Sequence, residues 1–263
     1  MIEKRYPNGL ILRHFSRFSG YDDKLRHFVS GREGGLSEGD QGSLNLSFSV
    51  GDPEENVVAN RSLLAQAIGA SQVLFPKQVH SAIISIVTRE NHALVATQEA
   101  DALITREQGL CIAVMAADCA PVLLYDPVNK AIAAIHAGWR GTVAGIVSRA
   151  IHTLMETCQS KPENIIAGIG PSICQDQYEV GEEVMNAVDH YYGPGSGLYK
   201  TGTKAGKAYL DLWKANKKQL LDNGVPEANI ELSGICTYSS SDTFFSARRS
   251  PKSGRFAAEI MLL

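Results

Sequence analysis

No apolar run in the chain approaches the roughly 18 residues that a membrane-spanning helix requires. The N-terminus, Met1-Ile2-Glu3-Lys4-Arg5-Tyr6-Pro7, also lacks the apolar core and small-residue cleavage site of a secretory leader, so a soluble, cytoplasmic protein is expected. Basic stripes are missing as well. The 25 Lys and Arg are interspersed with 28 Asp and Glu for a formal charge of -3, which argues against a nucleic-acid partner. Cysteine is scarce and odd in number: 5 residues without framework spacing exclude a disulfide scaffold and read mostly as small buried side chains. No repeat of fixed period or interdomain linker appears, and the Gly-rich stretch at 191–198 reads as a loop within a domain. What is present suffices for a large core. At 263 residues and 44% apolar, the chain sits near the upper size for one hydrophobic core, and a single domain over residues 1–263 is expected.

Helix signals begin at Asp52-Pro53-Glu54-Glu55. Asp52 is placed to cap free N–H groups, Pro53 to take the first helical position and Glu55 to close a capping box. Val57, Leu64, Ala67 and Ile68 supply the apolar face of that helix. Further helices are expected over 142–158, 181–192 and 210–223, the last stopped by Gly224. Short apolar runs at 83–87, 111–116, 121–125, 131–135, 164–169 and 229–236 predict strands. Strands and helices mix without strict alternation, so the expected class is α+β, a mixed sheet flanked by helices. The glycines between Gly31 and Gly42 predict a surface loop, with a ligand contact as the lesser alternative.

One pair of runs, 121–125 and 131–135, is joined by Asp126-Pro127-Val128-Asn129-Lys130, which suits a type I turn with Asn129 in the left-handed region. Facing residues of such a hairpin share a constant index sum, and pairing Asp126 with Lys130 brings Cys119 and His136 within one residue of register. A thiolate and an imidazole at cross-strand spacing can reach one metal ion. His136 runs through Ala137-Gly138-Trp139-Arg140-Gly141 into a helix, and such strand-to-helix corners often carry active sites. His80, in Pro76-Lys77-Gln78-Val79-His80, is the candidate third ligand, although its spacing from Cys119 says nothing about proximity. Two His and one Cys form a three-ligand set of catalytic zinc, with a fourth position open. The alternative is two hydrogen-bonded histidines and a buried thiol.

The segments Lys77-Gln78-Val79-His80, Ala100-Asp101-Ala102-Leu103-Ile104-Thr105, Ala117-Asp118-Cys119-Ala120-Pro121-Val122 and His136-Ala137-Gly138-Trp139-Arg140-Gly141 resemble the YfiH-type laccase-domain family. Ordered matches continue through Ser43-Leu44-Asn45-Leu46, Asn60-Arg61, Tyr178-Glu179-Val180-Gly181 and Phe244-Phe245-Ser246-Ala247-Arg248-Arg249. The resemblance implies zinc at His80, Cys119 and His136. It also implies purine nucleoside phosphorylase activity on adenosine, inosine and methylthioadenosine, with adenosine deaminase activity in the same pocket. The implied fold is related to deamidating toxins with Cys and His catalytic residues, which keeps open Cys119 as a nucleophile activated by His136. The chain departs from the family at Asp176-Gln177, where members often carry Cys; Cys174 lies slightly earlier, and no metal is assigned there. Copper is the alternative metal, since His2Cys sets also bind copper. A full laccase is disfavoured, because the 7 histidines include no His-x-His pair for an oxygen-reducing cluster.

Roles follow from these readings. Asp118 is a candidate acid or base for deamination, or else a carboxylate orienting a ligand imidazole. Arg140, at a helix entrance, is the first candidate for phosphate, with an ion pair fixing the corner as its alternative. Arg61 and Arg248 are weaker phosphate candidates. Ser43 and Asn45 are candidates for ribose or base, while Trp139, Phe244 and Phe245 are candidates for the wall against the base or for ordinary core. The expected partners are a purine nucleoside and phosphate, met by a monomer. Two rival functions remain: an amide hydrolase using Cys119 on a cell-wall precursor, and a noncatalytic nucleoside-binding protein.

Overall fold

The structure is a computed structural model describing residues 1–263. Its β-structure falls into two six-stranded mixed sheets and a small third one. The first sheet runs Ile2–Arg5, Ile11–His14, Leu25–Ser30, Phe256–Leu262, Cys111–Ala116, Val73–Leu74. The second runs Ile230–Leu232, Ile166–Ile169, Ala120–Asp126, Ala131–Ala137, Ala102–Thr105, Ile84–Ile86. Five helices accompany them: α1 (Glu54–Ile68), α2 (Trp139–Val143), α3 (Ile146–Cys158), α4 (Glu182–Tyr192) and α5 (Leu212–Asp222).

Alternation along the strands sets the layering. In Ala120–Asp126, Ala120, Val122 and Leu124 face α3, α4 and α5, whereas Leu123 and Tyr125 face the first sheet. In Phe256–Leu262, Ala258, Ile260 and Leu262 meet that same inter-sheet core, while Ala257 and Met261 pack towards Leu64 and Ile68 of α1. The result is four layers, helix, sheet, sheet, helix, with strands buried on both faces. That burial explains why the runs at 111–116 and 131–135 are continuously apolar rather than alternating. The expected mixed sheet flanked by helices is thus present, divided over two principal sheets.

Several local expectations are corrected. Asp52 does not cap α1: its carboxylate accepts from Ser37 Oγ and Asn45 Nδ2, and Pro53 is the residue before the first helical one. The helix expected over 142–158 is two helices, because Gly145 takes a left-handed φ of 74° between them. The hairpin pairs Asp126 with Ala131 and Pro121 with His136, one residue beyond the expected register, and Lys130 rather than Asn129 has the positive φ. Asn129 is instead engaged through its side chain by Asp126 Oδ2 at 2.9 Å. The run at 229–236 forms strand over Ile230–Leu232 alone.

Candidate metal centre and catalytic cavity

Three chain segments pass from one large sheet to the other around a single cavity. Residues 75–83 leave Val73–Leu74 for Ile84–Ile86 and carry His80; residues 117–119 leave Cys111–Ala116 for Ala120–Asp126 and carry Cys119. Residues 233–255 return from Ile230–Leu232 to Phe256–Leu262 and carry Arg248 and Arg255. His136 joins them from the end of Ala131–Ala137. All five side chains line an open cavity of about 750 Å³, within the size range of small-molecule sites.

The donor atoms of His80, Cys119 and His136 all lie within 4.8 Å of one another. The hairpin explains the placement of two of them. With Pro121 opposite His136, Cys119 is two residues before the partner position, so its side chain falls on the same face, diagonal to the imidazole. Gly138 permits the close approach: a Cβ there would stand 2.9 Å from Cys119 Sγ and 3.4 Å from the His80 ring. The two imidazoles meet edge to face at 4.9 Å between centroids.

Asp101, fully buried, organises both histidines. Its Oδ1 lies 2.8 Å from His136 Nδ1 and accepts from the His80 backbone N–H at 3.0 Å. Its Oδ2 accepts from the N–H groups of Ser81 and Val79 and from Ser81 Oγ. This grip over three consecutive amides holds His80 at a φ of 58°, a strained value for a non-glycine residue. With Nδ1 held by Asp101, His136 directs Nε2 towards Cys119, as a carboxylate behind a ligand imidazole does in metal sites. Burial pushes the Asp101 carboxyl up, but hydrogen bonds from His136 and Ser81 outweigh it and bring it to about 2.

Charge follows the same layout. Burial alone raises the Cys119 thiol, yet the His136 and His80 imidazoles draw it down to about 6. Burial would lower His136, and Cys119 with Asp101 raise it instead to about 9. The two imidazoles thus draw Cys119 towards the thiolate, the form in which sulfur binds a cation or attacks an electrophile. Two imidazole nitrogens and one thiolate, with no fourth protein donor beside them, fit a catalytic rather than a structural divalent metal.

The remaining predicted residues separate clearly. Arg61, Asp118 and Arg248 line the cavity; Ser43, Asn45, Arg140, Trp139, Phe244 and Phe245 do not. Arg140 is exposed, stacked on Trp139 and 3.7 Å from Glu183, because the helix starts at Trp139 and turns the next side chain outward. Ser43 and Asn45 bond to framework groups: Ser43 Oγ to Arg32 O and Gly35 N, and Asn45 to Ser47, Asp52 and the Arg255 backbone. Phe244 and Phe245 fill the inter-sheet core. The Gly31–Gly42 stretch runs as a surface loop outside the cavity, exposed at Gly34, Leu36 and residues 38–40, with Gly35 packed against Ser43, Leu44 and Asn60. Asp118 has its carboxylate taken up by Thr237 Oγ1, Ser246 Oγ and the Arg248 N–H, an arrangement that fixes the segment entering Cys119.

Sequence reasoning assigned no role to Asp101, Tyr178, Phe48, Phe75 or Arg255. Asp101 had a signal, its place within a recognised segment. Tyr178 had the same signal, in Tyr178-Glu179-Val180-Gly181, whereas Phe48 and Phe75 had none, since they reach the cavity from separate loops. Arg61 is held between the rings of Phe48 and Phe75 at 4.5 and 4.4 Å, with Nε donating to Leu46 O. Arg248 lies over Tyr178 at 5.1 Å. With Arg255, they give the cavity three guanidinium groups.

Relatives agree with this architecture. A purine nucleoside phosphorylase from Bacteroides thetaiotaomicron is 41% identical over 261 residues, 94% of this chain and 95% of that protein. An adenosine deaminase from an unknown prokaryotic organism is 39% identical over 214 residues, 78% of this chain and 81% of that protein. The crystal structure of YlmD from Geobacillus stearothermophilus matches 99% of this chain and 98% of its own, with a TM-score of 0.89 and 32% identity. A family model described as multi-copper polyphenol oxidoreductase laccase matches residues 26–263, the span that holds the His80, Cys119 and His136 trio and every guanidinium of the cavity. With the fold, the trio and these likenesses in agreement, the chain belongs to the multi-copper polyphenol oxidoreductase laccase family, that of the YfiH-type proteins.

Proposed function

We propose that the protein is a zinc-dependent purine nucleoside phosphorylase acting on adenosine, inosine and methylthioadenosine, with deamination of adenosine in the same cavity. The observation that carries this reading is the convergence of a His2Cys donor set and three guanidinium groups on one cavity. The names of the two relatives support the same pair of activities. The reading places the enzyme in the cytoplasm as a monomer; no helix of the chain is long and apolar enough to cross a membrane.

His80, Cys119 and His136 would hold a divalent metal, which would supply Lewis acidity in the cavity. Phosphorolysis builds positive charge on the ribose as the glycosidic bond breaks, so phosphate must sit beside C1′. Arg61, Arg248 and Arg255 are the groups available to hold it, in place of Arg140. Phe48, Phe75 and Tyr178 offer flat faces to a purine. Burial, with the negative charge of Cys119, holds the Tyr178 phenol in its protonated form, so it meets substrate as a hydrogen-bond donor. Asp101 keeps His136 in one orientation, and Asp118 does the same for the backbone before Cys119. Zinc is favoured over copper by the three-ligand open site; the family description names copper, and metal analysis of purified protein separates the two.

The test is release of hypoxanthine and ribose 1-phosphate from inosine. Turnover is expected to require phosphate, to disappear on chelation and to return with zinc. Arg248→Ala is expected to raise the KM for phosphate roughly tenfold or more, the worth of a charge-assisted hydrogen bond, whereas Arg140→Ala should leave kcat/KM within about twofold. Full activity in metal-free protein, or phosphate-independent release, rejects the reading. The lowered Cys119 thiol favours a second one, a cysteine amide hydrolase, which requires covalent labelling of Cys119 during amide cleavage.

A further inference from the structure

Two other cysteines lie against each other outside the trio. Residues 172 and 236 pair side by side in parallel, tied by Ser172 N–H to Ile235 O at 3.2 Å and Thr237 N–H to Ser172 O at 3.1 Å. Two residues on, the Cys174 backbone N–H donates to Cys236 Sγ at 3.2 Å. Both are free and half-buried, whereas Cys111 and Cys158 are buried out of reach.

The pair is chemically unequal. The Cys236 sulfur accepts the Cys174 main-chain N–H, and the polar groups of Cys174 and Ser239 around it outweigh burial and lower its thiol. Burial and the neighbouring Cys236 push Cys174 up to about 11. The sulfur that accepts a main-chain N–H is the one prepared to attack, and its neighbour the one to follow, the division of labour in dithiol exchange.

We propose that Cys174 and Cys236 form a reversible redox dithiol that closes to an intramolecular disulfide by exchange with a small-molecule disulfide. The Cys236 thiolate attacks one sulfur of the small disulfide, forming a mixed disulfide and expelling one thiolate, which takes up a proton. Cys174 then gives its proton to solvent and attacks the Cys236 sulfur, forming the protein disulfide and expelling the second thiol. The protein loses two electrons and two protons; the small disulfide is reduced to two thiols. The bond ties together the two segments that grip Asp118, since the Ile173 N–H donates to Asp118 O at 3.0 Å and Thr237 Oγ1 to Asp118 Oδ1 at 2.6 Å. The cross-link therefore sits directly behind the residue preceding Cys119.

The experiment is incubation of the folded wild-type protein with oxidised glutathione, followed by alkylation under denaturing conditions and peptide mapping. The expected result is a peptide pair linked through Cys174 and Cys236, lost on treatment with dithiothreitol. In Cys174→Ser the mixed disulfide is expected to accumulate on Cys236, at least tenfold above the adduct on Cys174 in Cys236→Ser. Free Cys174 and Cys236 in the wild-type protein after equilibration, or equal adducts in the two variants, overturns the proposal. None of these readouts requires nucleoside turnover, so the outcome is independent of the proposed function.

Discussion

Cys119→Ala is expected to reduce phosphorolysis by roughly a thousandfold or more, and Asp101→Asn by roughly ten- to a hundredfold. The first removes the thiolate of the trio. A Lewis acid contributes several kcal/mol to a transition state, and each 1.4 kcal/mol is about tenfold in rate. The second leaves all three donor atoms in place and removes what aims them. The substituted carboxamide would retain a carbonyl for some of the amides that Asp101 now satisfies, but it turns an NH2 group on the others and ends the charged contact with His136 Nδ1. Losses from such carboxylates behind metal ligands fall in the ten- to hundredfold range in metal affinity or activity. Steady-state assays at limiting and at saturating zinc distinguish the two variants: excess metal should partly restore Asp101→Asn and should not restore Cys119→Ala. Equal rescue of both, or of neither, contradicts the roles assigned here to Cys119 and Asp101.

Asp101 also carries a pH signature of its own. Its carboxyl lies below the ordinary value, so its stabilisation of the fold is complete above pH about 4 and is lost as pH falls towards about 2. Glu259 has the opposite sign and a larger effect near neutral pH. It sits in the middle of strand Phe256–Leu262, opposite Phe28 and Ala113, fully buried, with neither carboxylate oxygen hydrogen-bonded. Burial raises it from 4.5 to about 8, opposed in part by the charge of Arg61. Below pH 4.5 the acid is protonated in folded and unfolded chains alike and costs nothing by titration. Between pH 4.5 and 8 the unfolded chain ionises first, so stability falls by about 1.4 kcal/mol per pH unit, and above pH 8 the loss levels off.

Glu259→Met, which fits the apolar surroundings of Met261 and Phe28, is therefore expected to stabilise the protein by about 3 to 5 kcal/mol at pH 8. At pH 5 most of that gain should be absent. In a chain of this size the pH 8 gain corresponds to a rise in Tm of roughly 6 °C or more. Denaturant or thermal unfolding of both proteins at the two pH values measures it. An advantage of the same size at pH 5 and pH 8 means that titration of Glu259 is not its source. Arg61 keeps its aromatic neighbours and its hydrogen bond to Leu46 in this variant, so cavity-dependent activity should change far less than stability.

The elements that sequence reasoning located are those with local causes. The strands at 111–116 and 131–135 declare themselves by continuous apolar runs, α4 by its periodicity, and α5 by its periodicity and the glycine that follows it. The first and last strands of the chain escaped notice: Ile2–Arg5 is exposed throughout, and Phe256–Leu262 includes a charged Glu259 in its centre. Gly145 carried the break between α2 and α3 in plain view, but a single glycine inside a periodic stretch does not by itself separate tolerance from interruption.

The chemistry of the site was equally divided. Residue types and hairpin pairing brought Cys119 and His136 within one residue of register, because two segments joined by a short turn have few ways to pair; the observed shift of one residue is what sets both side chains on the same face. His80 entered through family resemblance, since no local rule relates it to a thiol 39 residues away. What the tertiary structure decided was the company these residues keep. Arg61 and Arg255 belong to the cavity and Arg140 does not; Asp101 aims His136, while Asp118 braces its own segment. Each outcome depends on where the crossovers between two sheets converge. Convergence is a property of long-range packing, and the sequence states its ingredients without stating their meeting place.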